Sequence, residues 1–240
     1  MDNLLNELAP HGVLRAGINS SNTLLISHQD KQGLADGVSP AMARALAAEL
    51  GVELQLVLYP GPGDVADAAN SDEWDIANIA IEPERAALID FSPAYCEIQA
   101  TYLLPPDSPI KSLADVDATG NRIAIKARSA YDLYLSRHIT QATLQRADSI
   151  DASFELFVDE SLEVLAGLRP KLIEQQARLP GSRLFDDSFM AVQQAIGVPT
   201  GKTQAAAYVK AFVERSLASG KVDSLIEHYG VTGRLSASAI

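Results

Sequence analysis

Short apolar runs alternate along the chain with stretches of helical apolar period, the pattern of β–α–β units. Residues 13–18 read as a first strand and 19–23 as a polar loop. A helix follows, with Ser39 as N-cap, Pro40 at its first position and Gly51 as its stop. Within it Met42, Leu46 and Leu50 form a stripe that must face a sheet. Residues 52–58 are strand-like, and the Tyr-Pro-Gly-Pro-Gly run at 59–63 breaks them into a loop. Asp64 then caps a short helix leading to a strand at 75–81. Two prolines ending residues 102–106, with the polar 107–109 behind them, mark a crossing into another unit. The pattern restarts beyond it, with a strand at 122–126, a helix opening near Ser129 and a short strand at 143–146. A helix opened by Asp159 or Ser161 is predicted through Leu162, Leu165 and Leu168, interrupted or ended by Pro170. The apolar run 190–198 precedes an amphipathic helix whose stripe is Val209, Phe212, Val213 and Leu217, closed by Gly220. A last helix carries Val222, Leu225, Ile226 and Tyr229.

This order predicts an α/β protein of two lobes, each a mixed sheet flanked by helices. Residues 1–103 and 193–240 form the first lobe and 104–192 the second. Open α/β sheets bind ligands at the carboxyl ends of their strands, which places the expected ligand cleft between the lobes. The length of 240 residues suits two such units, and 47% hydrophobic with 21% charged residues is the balance of a folded protein. A formal net charge of −12 repels phosphate backbones and anionic headgroups, so nucleic acid and membrane are excluded as main partners. Cys96 stands alone, which rules out an internal disulfide and a Cys-x-x-Cys metal knuckle. His11, His28, His138 and His228 lack ligand spacing, and no phosphate-binding glycine loop or nucleophile elbow is present, so neither metal nor cofactor is expected. No apolar run is long enough to span a bilayer. The acidic, polar opening around Asp2 and Glu7 is unlike a signal peptide. That leaves a cytosolic protein, or a mature domain whose leader was replaced by Met1.

Residues 73–85, with 90–95 after them, hold the most informative chemistry: a buried strand, a tight exit at Pro83 and Arg85 where the next helix begins. A guanidinium at such a strand end can bind a carboxylate bidentately. Spacing alone leaves a second reading open, a local ion pair of Arg85 with Glu82, Glu84 or Asp90.

The pattern of Asp75, Ile81 and Arg85 followed by Asp90-Phe91-Ser92 and Tyr95 resembles the extracytoplasmic solute-binding proteins for polar amino acids, family 3. The helix ending at Gly51, the run 122–125 followed by Ser129-Ala130-Tyr131, and the run 195–199 match the same family in order, so the resemblance covers nearly the whole chain. It implies the two-lobe type II fold of periplasmic binding proteins, service to the permease of an ABC transporter, an extracytoplasmic location, and a monomer that closes on a small carboxylate-bearing ligand. Arg85 is then the carboxylate-binding arginine. Ala80 offers its N–H where relatives carry a hydroxyl, and Asn78 offers a carbonyl oxygen to a ligand amine. Tyr59, Asn19, Asn22 and Leu24 fall in ligand-facing loops. Ser129 and the N–H of Ala130 meet the carboxylate from a helix N-terminus, a role compatible with Ser129 as a plain cap.

Three departures qualify what the resemblance implies. Arg128 stands where relatives have Gly, pointing either to solvent or over the cleft as a second positive charge. Glu82 replaces a Thr and is placed to cap the helix of Arg85. The family's ammonium-binding Asp is matched here by Gln175, with Glu174 beside it. Burying an ammonium without an anion costs about 1–3 kcal/mol, roughly tenfold to several-hundredfold in affinity. Organic acids or modified amino acids therefore fit better, unless a one-residue shift turns Glu174 into the cleft. Two alternatives remain. One is a cyclohexadienyl-dehydratase-like enzyme with Glu174 as proton donor; the other is a cytosolic ligand sensor of the same fold.

Overall fold

The computed structural model describes residues 2–29 and 35–239, and the chain divides into two compact units. The first comprises Met1–Glu97 with Gln193–Ile240, the second Ile98–Val192. The chain passes between them within two strands, and the first division falls after Glu97, where the sequence reading places a boundary at 103.

The first segment runs α1 (Asp2–Leu8), β1 (Val13–Asn19), β2 (His28–Gln29), β3 (Ala35–Asp36), α2 (Val38–Leu50), β4 (Glu53–Tyr59), α3 (Pro62–Asp67), β5 (Ile76–Ala80), α4 (Pro83–Ala86) and β6 (Ile89–Phe91), then enters β7 (Cys96–Leu104). Strand β1 lies parallel between β4 and β5, pairing Asn19 with Tyr59 and Ile18 with Asn78, so these strands end at one edge. Helix α2 buries Met42, Leu46 and Leu50, and Gly51 ends it in the left-handed region. Its start differs from expectation. Gly37 is the N-cap, while Ser39 is buried inside the helix with its hydroxyl on that of Tyr95 at 2.8 Å. The run at 59–63 is likewise only partly a loop, because Pro62 opens α3 and Asp64 lies inside it rather than capping it. Trp74 anchors the layer under α3, packed with Val65, Ala77, Ile79 and Ile89, its indole N–H donating to the Val65 carbonyl at 3.1 Å.

The second unit continues from β7 through β8 (Arg122–Lys126), α5 (Ala130–His138), β9 (Thr143–Ala147), α6 (Ile150–Asp159), β10 (Val164–Leu168), α7 (Arg169–Arg178) and β11 (Arg183–Leu184) into β12 (Met190–Pro199). Strands β10, β8 and β9 are mutually parallel neighbours, and β10 runs antiparallel to β7. The helix expected through Leu162, Leu165 and Leu168 is a strand instead. All five residues of β10 are buried, and a short run covered on both faces shows no alternation to set it apart from helix. Pro170 opens α7 rather than ending a helix, and α6, capped by the Ser149 hydroxyl, precedes the strand. Phe154, Phe157, Leu162, Leu165 and Leu172 fill this core.

On its return β12 runs antiparallel to β5 and β6, followed by α8 (Thr203–Ala218), α9 (Lys221–His228) and β13 (Ser236–Ala237). Among the described residues no helix is long and apolar enough to cross a membrane.

Candidate functional site

In the first unit the parallel strands β1, β4 and β5 bring Asn19, Tyr59, Asn78 and Ala80 to their carboxyl-terminal halves. Two of these side chains are engaged by their own surroundings. The Asn19 carbonyl oxygen accepts from the Ser21 backbone at 3.1 Å and hydroxyl at 2.8 Å, closing the loop after β1. The Tyr59 ring packs on the Trp74 cluster, and its hydroxyl donates to Glu73 at 2.9 Å. Burial and that bond to a carboxylate raise its pKa. Asn22 accepts from the Leu24 N–H at 3.1 Å, and both residues are buried.

Asn78 is different. It is 2% exposed, and its amide makes long bonds to the Ser39 carbonyl at 3.4 Å and the Tyr95 hydroxyl at 3.5 Å. Its Oδ1 finds no hydrogen-bond partner among the described residues. Burial pushes the Tyr95 pKa up, so this phenol stays protonated beside Ser39 and Asn78.

Arg85 is 4% exposed, and one of its terminal nitrogens donates to the Ala80 carbonyl at 2.8 Å. The bond ties the guanidinium to the exit of β5. Ala80 itself is buried and presents only a methyl group. Glu82, 2% exposed, occupies the N-cap position of α4 but makes no side-chain cap hydrogen bond, so the capping role expected of it is not fulfilled.

In the second unit Ser129 caps α5, accepting from the Asp132 N–H at 3.1 Å and donating to the Lys126 carbonyl at 2.9 Å. Ala130 is buried as the first helical residue. Arg128 holds φ at 60°, in the region that favours glycine, with its N–H bonded to the Asp132 carboxylate at 2.7 Å. That carboxylate also receives the Arg146 guanidinium at 2.9 Å. Lys126 is buried at the end of β8.

Glu174 does not join these strand ends. It lies on α7 with its side chain 58% exposed, paired to Lys171 at 3.3 Å. Gln175 turns into the second unit's interior, its amide 3.4 Å from the Ile150 carbonyl and its Oε1 without a partner among the described residues. Both positions come from matching the family's ammonium-binding Asp to the segment 167–175. With residues 164–168 a strand, they stand well along the next helix. No group of three or more metal-ligating side chains occurs among the described residues.

Several solved structures share the fold. One is the solute receptor for L-cysteine of Neisseria gonorrhoeae, at 19% identity and a TM-score of 0.79, covering 99% of both chains. A second is a putative ABC-transporter binding component from Wolinella succinogenes complexed with lysine, at 20% identity and TM-score 0.76, covering 93% of this chain and 97% of that one. A third is the ancestral amino-acid-binding protein AncCDT-1, a precursor of cyclohexadienyl dehydratase, at 22% identity and TM-score 0.75, covering 94% and 98%. These are two-lobe binding proteins of mixed α/β architecture, as the order of elements predicts. No curated protein matches the sequence significantly. The family model of the bacterial extracellular solute-binding proteins, family 3, matches residues 14–232, and the chain belongs to that family.

Proposed function

We propose that this protein captures a small carboxylate-bearing solute and delivers it, as an extracytoplasmic monomer, to the permease of an ABC transporter. The observation that carries the reading is Arg85, buried and bonded to the last carbonyl of a buried parallel strand. A planar guanidinium fixed there recognises a carboxylate in bidentate fashion. Within the second unit, the start of α5 at Ser129 and Ala130 follows β8 and offers a helix N-terminus suited to an anion. Family membership supports solute binding, and relatives described with L-cysteine and lysine support a ligand of amino-acid size. The dehydratase alternative requires Glu174 as its acid, and that side chain is 58% exposed and paired to Lys171.

Calorimetry against a panel of small carboxylates tests the reading. Removing one partner of a buried, hydrogen-bonded charge pair costs about 2–5 kcal/mol, so Arg85→Ala should weaken binding roughly 30-fold to several-thousand-fold. Equal affinity in the variant refutes the assignment.

A further inference from the structure

Resting on that reading, we infer that the group the solute presents to Asn78 is an uncharged hydrogen-bond donor, which makes the solute a hydroxy acid rather than an amino acid. In β5 the side chains of Ala77 and Ile79 pack into the Trp74 cluster, which leaves Asn78 and Ala80 on the opposite face. Two residues of strand advance the chain about 7 Å. The Arg85 guanidinium is tied to the Ala80 carbonyl at 2.8 Å, so one small solute can meet both it and Asn78 within the first unit.

Neighbours fix which way the buried Asn78 amide points. The Ser39 carbonyl, 3.4 Å away, can only accept, so the amide nitrogen faces it and the oxygen turns elsewhere. That oxygen has no donor among the described residues, and a buried acceptor left so is costly. The groups around it are neutral: the Ser39 carbonyl and hydroxyl, and the Tyr95 phenol, which burial keeps protonated. An ammonium here would bring a charge and three donors to a single amide oxygen, and it would need a carboxylate besides. Glu82, the next carboxylate along the chain, is already engaged, and Glu174 is exposed and paired to Lys171. A hydroxyl brings one donor and no charge, which one unmatched oxygen satisfies. The family resemblance offers Asn78 an amine; its neutral surroundings suit a hydroxyl.

The test titrates each proteinogenic L-amino acid, its 2-hydroxy analogue and the acid lacking both groups against wild type, Asn78→Leu, Asn78→Asp and Arg85→Ala. The tightest ligand of wild type should be a hydroxy acid, favoured about tenfold or more over its amino and unsubstituted partners. Asn78→Leu should erase the advantage over the unsubstituted acid while changing that acid's own affinity less than about threefold. Asn78→Asp, which supplies a carboxylate without changing shape, should turn the preference toward the amino acid, and it tests the proposal even if Asn78→Leu fails to fold. A wild-type preference for amino acids, equal binding of hydroxy and unsubstituted acids, or a hydroxy-acid advantage that survives in either folded variant overturns the inference. With Arg85→Ala still weakening every ligand, those results leave the carboxylate reading intact. Unchanged binding in Arg85→Ala, or no binding by wild type, removes that reading and the inference with it.

Discussion

Gly37 precedes α2, the helix whose Ser39 carbonyl holds the Asn78 amide, and replacing it with alanine puts two separable costs on the first unit. Its torsions, φ 147° and ψ −175°, lie in a region open essentially to glycine alone, where another residue pays about 1–3 kcal/mol. A Cβ at this position would also stand 2.7 Å from Ile26 Cα and 2.8 Å from Ser27 N, and closer still to the Leu25 carbonyl oxygen. All three are backbone atoms, so no side-chain rotation relieves the clash. The loss of unfolded-state freedom on going from Gly to Ala returns only about 0.4–1 kcal/mol. The net expectation is a loss of about 3 kcal/mol or more. Gly51 at the other end of α2 is the control, with φ 71° and nothing within 4 Å of an added Cβ. There a left-handed alanine costs about 1–2 kcal/mol before the same offset, for a net loss of about 1 kcal/mol. Urea unfolding of both variants, with the slope checked for constancy, measures the difference. If Gly37→Ala loses no more stability than Gly51→Ala, the close approach of the Leu25–Ser27 backbone to the start of α2 is wrong.

Other consequences concern titration and reactivity. Burial works against ionisation of Asp117, but the backbone N–H groups of Ala142, Gln141 and Thr140 and the Thr140 hydroxyl outweigh it, lowering the pKa to about 2. A depressed carboxyl stabilises the fold above its unfolded value near 4, and that contribution disappears as pH falls toward 2. Asp117→Asn should therefore flatten the fall in stability of wild type between about pH 4 and pH 2, read by urea unfolding across that range; an unchanged slope contradicts the bonding described. Cys96 is fully buried, and burial, reinforced by the Glu97 charge, pushes its thiol well up. A thiol reagent at neutral pH should label it only on unfolding; rapid labelling of the native protein contradicts its place in the core.

Much of this molecule follows from local patterns. The run 122–126 is a strand and Ser129 a cap because an apolar run followed by a hydroxyl residue needs no distant partner to define it. Leu162, Leu165 and Leu168 mislead because their spacing imitates a helix, while β10 is apolar throughout only because layers cover both its faces, a fact of the tertiary structure. Ser39 misleads differently. It is a strong capping residue, but the buried Tyr95 hydroxyl claims its side chain, and the torsions needed before α2 are ones only Gly37 adopts readily. Arg85 is visible at a strand exit, whereas the unmatched oxygen of Asn78 and the failure of Glu82 to cap α4 depend on which atoms the folded chain brings near them.

The central claim is most directly tested by a crystal structure of the protein with a solute it binds. The account predicts a solute carboxylate within hydrogen-bond distance of the Arg85 guanidinium, at the exit of β5. A solute held elsewhere, or an Arg85 side chain committed to an internal ion pair and turned from the bound molecule, contradicts it.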